Sequence, residues 1–317
     1  MPSLNGVLPA LLTPLADTGE LDHAGMDRLL DHVLAAPLAG ISPCGSTGEG
    51  PLLPRQVRVD AVRAVAARLA PGQWLVPGAS GVNAEAALQE IEAYAAAGAT
   101  AVLVPPPWYY PIGAGEVLDF FTGVADRSAV PVVLYNIPAM TKVVIPVPTV
   151  AQLAAHPKVL GIKDSSRDFE YFQALVSQTA TAEDFAVLTG TDTMLVASMV
   201  VGGAGTIAAS VNIIPSLVQD LYQACLAGRL DEARDMQERV VEVVSAARRP
   251  GFPRGWKAAA EALGLCSART AHPLRPASAE EAAVLAGELS ALGVCCPPAT
   301  PGLSACRAST GRAARSA

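Results

Sequence analysis

Eight times between residues 5 and 227, a short, almost wholly apolar run is followed by a stretch whose apolar groups recur at helical spacing. The apolar runs are residues 5–13, 40–44, 74–78, 101–104, 130–134, 159–162, 186–189 and 205–208. Helical periodicity fills the gaps: Met26, Leu29, Leu30, Val33 and Leu34 set the first, and residues 54–69, 83–97, 116–127, 149–155 and 213–227 give later ones, with another beginning near Thr193. Strands without polar alternation are buried on both faces, as parallel strands covered by crossover helices are. Eight such units predict an α/β fold, a (β/α)8 TIM barrel; a doubly wound open sheet is the rival, and the number and regularity of the units disfavour it. Residues 231–248, 252–263 and 278–292 read as three additional C-terminal helices. The expected organisation is a catalytic barrel over 1–228, a helical segment over 229–293 and a disordered tail over 294–317, rich in Pro, Ala, Ser and Arg.

Composition narrows the function. With 51% hydrophobic residues the chain can build a large core, and its formal charge of −7 is unsuited to a nucleic-acid surface. No apolar run approaches the roughly 20 residues needed to span a bilayer, and residues 1–15 carry no basic leader, so the expected location is the cytoplasm. The six cysteines show neither zinc-ribbon nor CxxC spacing and are read as reduced thiols. His23, His32, His156 and His272 are scattered, without a partner at ligand or triad spacing, so neither a metal site nor a Ser-His-Asp hydrolase is expected, and no cofactor is called for.

In a TIM barrel the active site lies where strands end, so the residues just after each run are the candidates. The most telling is Lys163, which closes the apolar run 159–162 and is followed by Asp164, Ser165 and Ser166. The other lysines, Lys142, Lys158 and Lys257, fall in turn-like or helical contexts from which an ammonium is expected to reach water. A lysine at the end of a buried strand loses hydration, which favours the free amine able to attack a carbonyl. The second run ends in Gly45-Ser46-Thr47-Gly48-Glu49, where glycines permit an unusual turn and hydroxyls stand beside backbone N–H groups; this suits a carboxylate or phosphate, or simply a capped turn. Neither a P-loop lysine nor a dinucleotide-binding glycine pattern is present. Tyr135, at the end of the fifth run, is either a proton shuttle at the barrel mouth or a core tyrosine. Tyr109 and Tyr110 sit in a proline- and aromatic-rich stretch suited to an oligomer contact, and Asp192 is either a substrate-hydroxyl ligand or a helix cap.

Taken together and in order, Gly45-Ser46-Thr47-Gly48-Glu49, Tyr135-Asn136-Ile137-Pro138, Gly161-Ile162-Lys163-Asp164-Ser165-Ser166 and Gly190-Thr191-Asp192 resemble the dihydrodipicolinate synthase/N-acetylneuraminate lyase family of Schiff-base aldolases. The likeness runs from about Gly6 to Leu292 and leaves out only the tail. The resemblance implies that Lys163 forms an imine with pyruvate or a longer 2-oxo acid. It implies that Tyr135 is the general acid/base and that Ser46 and Thr47 hold the carboxylate. Thr47 would also link Tyr135 to a tyrosine from a neighbouring subunit, Tyr109 by preference and Tyr110 as second choice. Ile207 would offer its carbonyl to the imine region, and the partners implied are a small 2-oxo acid and further copies of the chain, as a dimer or a dimer of dimers. A protonated imine is an electron sink, so a C–C bond β to it can form or break without a metal.

Three departures bear on the substrate. Where the synthase branch places an arginine for the carboxylate of aspartate semialdehyde, this chain has Met140, with Lys142 nearby as a partial substitute. Where the sialic acid branch places a glutamate and a serine, it has Thr193 and Ala209. The favoured expectation is therefore aldol cleavage or addition with pyruvate as product or donor, for instance on 2-keto-3-deoxy sugar acids. The alternatives are dehydration through the same imine, 4-hydroxy-tetrahydrodipicolinate synthesis from pyruvate and aspartate semialdehyde, and a non-catalytic binding or regulatory relative.

Overall fold

In the computed structural model, which describes residues 3–294, the eight expected strands are present: β1 (Gly6–Pro9), β2 (Gly40–Ile41), β3 (Trp74–Leu75), β4 (Val102–Val104), β5 (Val132–Asn136), β6 (Val159–Asp164), β7 (Ala186–Thr189) and β8 (Gly205–Ala208). All pairings between them are parallel. Six strands form one ladder in the order β1-β8-β7-β6-β5-β4, and β2 pairs with β3. Parallel bridges Ala10↔Ser42 and Gly78↔Leu103 join the two ladders and close the TIM barrel. The joints are hydrogen-bonded: Ala39 N and Ser42 N donate to Val7 and Pro9 carbonyls, and Leu103 N and Ala79 N complete the β3/β4 seam.

Because strand side chains alternate, each strand feeds two cores. Leu8, Val76, Leu103, Val133, Leu188 and Ile207 fill the barrel interior, together with Tyr135. Val7, Ile41, Leu75, Val102, Leu134 and Ile162 face outward onto the helices. Phe121 and Phe172, fully buried on the helices Ala114–Arg127 and Phe169–Thr179, belong to this outer layer; burying each such side chain is worth about 1.5–3 kcal/mol. The first run is strand only through Pro9; beyond it the chain leaves the ladder and Thr13 Oγ1 donates to Gly48 O at 2.8 Å, so the β1 loop braces the β2 loop.

The helices Leu230–Arg248, Arg254–Ala262 and Ala279–Ala291 correspond to the three expected after the barrel. Their Val240, Val243, Trp256, Leu285 and Leu289 are part of the same outer core as the strands. The expected tail, apart from Val294, lies outside the described residues. Among the described residues no helix is long and apolar enough to cross a membrane.

Candidate active site

Strand register brings Tyr135 and Lys163 together. They are Cα partners in the β5/β6 ladder, and a shift between Val132 and Val133 sets that register. In-register residues on adjacent strands share a face, and here the face is the barrel interior. Lys163 is only 4% exposed, and its Nζ lies 4.5 Å from the centroid of the Tyr135 ring. No carboxylate lies within ion-pair distance of it among the described residues. Room for the lysine stem comes from Gly190 at the end of β7: a Cβ there would lie 2.8 Å from Lys163 Cε and collide with Ser165 Oγ.

Their ladder neighbours, Asn136 and Asp164, also pair and are buried. Asn136 Nδ2 donates to Asp164 Oδ1 at 2.8 Å, and Ser166 donates to the same carboxylate through its N–H and its hydroxyl. Burial raises the Asp164 pKa above its ordinary 3.8, and these hydrogen bonds oppose the shift. Asn136 Oδ1 in turn accepts from Ile145 N. This network fixes the strand ends that carry Tyr135 and Lys163.

The β2 loop supplies the third part. Cys44 and Glu49 both adopt left-handed backbone conformations, φ 60° and 59°, and between them the chain turns through Gly45–Gly48. Such conformations in residues other than glycine are strained and persist only where their surroundings hold them. Gly48 is obligatory at this turn, since a Cβ would lie 2.5 Å from Leu11 O. The backbone N–H groups of Ser46 and Thr47 have no protein acceptor among the described residues. The hydroxyl that reaches Tyr135 is that of Ser46, at 3.4 Å from the phenolic oxygen. Thr47, expected to make this link, is buried and makes no hydrogen bond to Tyr135: neighbouring residues of a tight turn point different ways, and the turn gives the tyrosine to Ser46.

Glu49 ends the motif against the C-terminal helices. Its Oε1 meets Lys257 Nζ at 2.8 Å with both side chains 0% exposed, and its Oε2 accepts from Ala271 N at 2.6 Å. Lys257 also donates to Arg269 O at 2.5 Å. The expectation that Lys257 reaches water is therefore wrong. Its helix buries the face that carries it beneath the barrel mouth, where Glu49 supplies the countercharge. Burial pulls its pKa below the ordinary lysine value while Glu49 pulls it back up. Sequence reasoning missed this residue; the only signal was its place in Gly255-Trp256-Lys257-Ala258-Ala259-Ala260, where its neighbours are small or apolar.

The remaining expected site residues fall as follows. Ile207 lies in β8 among the interior side chains, in the same cluster as Tyr135. Asp192 is buried with its oxygens engaged: Oδ1 accepts from Ser210 N at 2.7 Å, and Oδ2 lies 3.9 Å from Arg248. It therefore ties the β7 loop to the turn after β8, and its side chain does not cap its own helical turn. Met140 sits in the turn Pro138–Thr141 and lines a cleft of about 310 Å³ that opens onto Ser46 and Tyr135. Lys142 does not line it; its Nζ donates to Ala139 O. Tyr109 is 72% exposed and stacks edge-on against Tyr110, while Trp108 beside them lines the cleft.

Fold and residue set together define a class, a TIM-barrel lyase of the class I aldolase type. The model of the dihydrodipicolinate synthetase family matches residues 3–292, and the chain belongs to that family. It is similar to 4-hydroxy-tetrahydrodipicolinate synthases from Methanosarcina barkeri (32% identity over 91% of this chain and 98% of the relative) and Acidiphilium cryptum (31%, over 92% and 99%). Among solved structures, dihydrodipicolinate synthase from Bacteroides thetaiotaomicron superposes with TM-score 0.87 at 28% identity, covering 92% of this chain and all of the other. A prophage protein of the dihydrodipicolinic acid synthase family from E. coli K12, in complex with pyruvate, gives 0.86 at 26%, covering 92% and 99%. A monomeric dihydrodipicolinate synthase variant gives 0.88 at 26%, covering 92% and 97%.

Proposed function

We propose that Lys163 forms an imine with the keto group of pyruvate or a longer 2-oxo acid, and that Tyr135 carries protons to and from the carbinolamine and the enamine. The observation that carries this reading is the register pairing that sets Nζ 4.5 Å from the Tyr135 ring centroid inside the barrel mouth. A nucleophilic amine and a phenol held on rigid strands are pre-positioned for proton transfer between them. The substrate carboxylate is taken by the unpaired N–H groups of Ser46 and Thr47, with the Thr47 hydroxyl, and Ser46 links Tyr135 to that cradle. Ile207 lends its carbonyl beside the imine, and Asp192 holds the two strand-end loops around it.

The reaction is aldol cleavage or addition with pyruvate as product or donor. Dehydration through the same enamine uses the same groups. Synthesis of 4-hydroxy-tetrahydrodipicolinate is the second reading, favoured by the names of relatives at 31–33% identity and opposed by the thioether at Met140. The exposed Tyr109 enters the site of a neighbouring copy in a homo-oligomer, a dimer or a tetramer, working in the cytoplasm.

Incubation with pyruvate followed by borohydride reduction tests the chemistry. A pyruvate adduct is expected on the peptide containing Lys163, and its absence with every small 2-oxo acid tried would sink the proposal. Sedimentation of the wild type and turnover of Tyr109→Phe test the assembly: a monomer with undiminished activity in that variant would remove the neighbour's tyrosine from the site.

A further inference from the structure

Resting on the imine reading above, we infer that the second reactant is an uncharged, largely apolar aldehyde, aromatic or alkyl, which adds to the pyruvate enamine to give a 4-hydroxy-2-oxo acid, or is released from one. The cleft that leads to Ser46 and Tyr135 is walled by Met140, Trp108, Leu52, Phe252, Ile137 and Leu274. At about 310 Å³ it is at the small end of sites that enclose a small organic molecule.

Its polar chemistry is sparse: besides Ser46 and Tyr135 at its inner end, the polar side chains that line it are Glu49, Thr141 and the small hydroxyl of Ser80, whose N–H donates to Glu90. Glu49 is the one charged residue lining it among the described residues, and its carboxylate is already bound by Lys257 and Ala271 N. The Thr141 hydroxyl is engaged with the Ile137 and Val143 carbonyls. Lys142, the nearest lysine in sequence, caps Ala139 O outside the cleft. An aldehyde carrying its own carboxylate would enter without a countercharge, and a polyol would lose water from hydroxyls with few partners to replace it. A ring or alkyl chain loses nothing and removes apolar surface from water.

The aldol step balances without a further reagent. Loss of a C3 proton from the imine gives the enamine, whose C3 forms a bond to the aldehyde carbon while the aldehyde oxygen takes up a proton. Water then hydrolyses the imine, freeing the amine and the 4-hydroxy-2-oxo acid. Cleavage runs the same steps backwards and breaks the C3–C4 bond.

The test is made on the full chain in two arms. Borohydride trapping with pyruvate first reports the Lys163 adduct. Pyruvate consumption is then followed with benzaldehyde, hexanal, D-glyceraldehyde and aspartate semialdehyde, with the product mass measured. Benzaldehyde or hexanal is expected to exceed both polar aldehydes in kcat/KM by about tenfold or more, the scale on which apolar pockets discriminate. Met140→Arg is expected to narrow that ratio while keeping the adduct. An adduct with equal or greater turnover of a polar aldehyde, or with no aldehyde turned over, overturns this inference and leaves the imine reading standing. The absence of an adduct overturns both.

Discussion

Lys257→Met tests how the C-terminal helices hold the active-site loop. The substitution keeps an unbranched apolar stem and removes only the ammonium, so a void contributes little to its effect. It strands the Glu49 carboxylate, which then has Ala271 N as its one remaining donor among the described residues, and it frees Arg269 O of its 2.5 Å contact. Both side chains are 0% exposed, so the carboxylate stays largely out of water when its partner is lost. Breaking a fully buried pair from one side costs about 3–5 kcal/mol. That is a large share of the roughly 5–15 kcal/mol by which domains are stable.

The measurement is equilibrium urea unfolding of wild type and variant at one fixed chain concentration, since any oligomerisation adds to apparent stability. The companion is the double variant Glu49→Gln/Lys257→Met, which removes both charges. A loss of about 3 kcal/mol or more is expected for Lys257→Met, with at least half recovered in the double variant, because an uncompensated charge is the source of the cost. A loss below about 1 kcal/mol would refute the reasoning. With Glu49→Gln measured alone as well, a double variant whose loss is the sum of the two single losses would also refute it, since the groups would then not interact. Glu49 closes the turn that presents Ser46 and Thr47, so kcat/KM for the 2-oxo acid should fall in the single variant even where the protein is folded.

Other consequences follow from the same structure. Tyr135→Phe should lower kcat by about 10²–10⁴, the range for a positioned acid/base, while slow accumulation of the reduced Lys163 adduct persists; unchanged kcat would remove the phenol from the chemistry. Ser46→Ala should slow proton transfer more than it weakens binding of the 2-oxo acid, and Thr47→Ala should do the reverse; a matched kcat and KM response in the two variants would contradict their separate roles. The buried Asp164 has a pKa raised above 3.8, so the folded chain binds the extra proton more tightly than the unfolded chain does, and stability falls as pH climbs through the window above 3.8. The stability difference between wild type and Asp164→Asn, followed by urea unfolding from about pH 4 upward, should therefore shift against the wild type and then level off; a constant difference would refute it. Burial pushes the Cys44 and Cys266 thiols up to about 12 and about 11, so peptide mapping after iodoacetamide treatment at pH 8 should find both unmodified in the folded chain and modified in urea.

The fold was legible in the sequence because its cause is local and repeated. Each strand is buried on both faces and each helix keeps one apolar stripe, so unbroken apolar runs and stripes of period 3.6 alternate visibly along the chain. Lys163 and Tyr135 were legible for a related reason: each ends an apolar strand at the face where barrels carry their chemistry. What could not be read was anything set by contacts between distant segments. Glu49 and Lys257 lie far apart in the chain, and nothing in the period of the helix Arg254–Ala262 says which buried face meets a carboxylate. Which hydroxyl of the β2 loop lies nearest Tyr135 escaped for the opposite reason: Ser46 and Thr47 are adjacent, and the backbone turn between the left-handed residues Cys44 and Glu49, not the residue types, puts the Ser46 hydroxyl 3.4 Å from the phenol. One oxygen of Asp192 was likewise taken by a backbone N–H from the next strand's loop, a partner with no side-chain signature, and the other faces Arg248 from a distant helix.

On the proposed imine mechanism, the two buried lysines of this chain differ in what surrounds them, and burial alone does not make a nucleophile. Attack on a carbonyl needs the nitrogen lone pair, which an ammonium lacks. Lys257 is the more deeply buried of the two, yet Glu49 at 2.8 Å and the Arg269 carbonyl are arranged to receive an ammonium, so its nitrogen serves the fold. Lys163 has a tyrosine ring beneath it, no carboxylate within ion-pair distance among the described residues, and space created by Gly190. A carboxylate brought beside Lys163 would turn it into a second structural ion pair. Leu188→Asp places one on the neighbouring strand, in register with Lys163 and facing the barrel interior. The reasoning requires that variant to lose most of the borohydride-trapped pyruvate adduct, while Leu188→Asn, which brings no charge, keeps it. A folded Leu188→Asp protein, verified by its unfolding transition, that trapped pyruvate as efficiently at pH 7 as the wild type would show that the partner beside the amine does not decide its use.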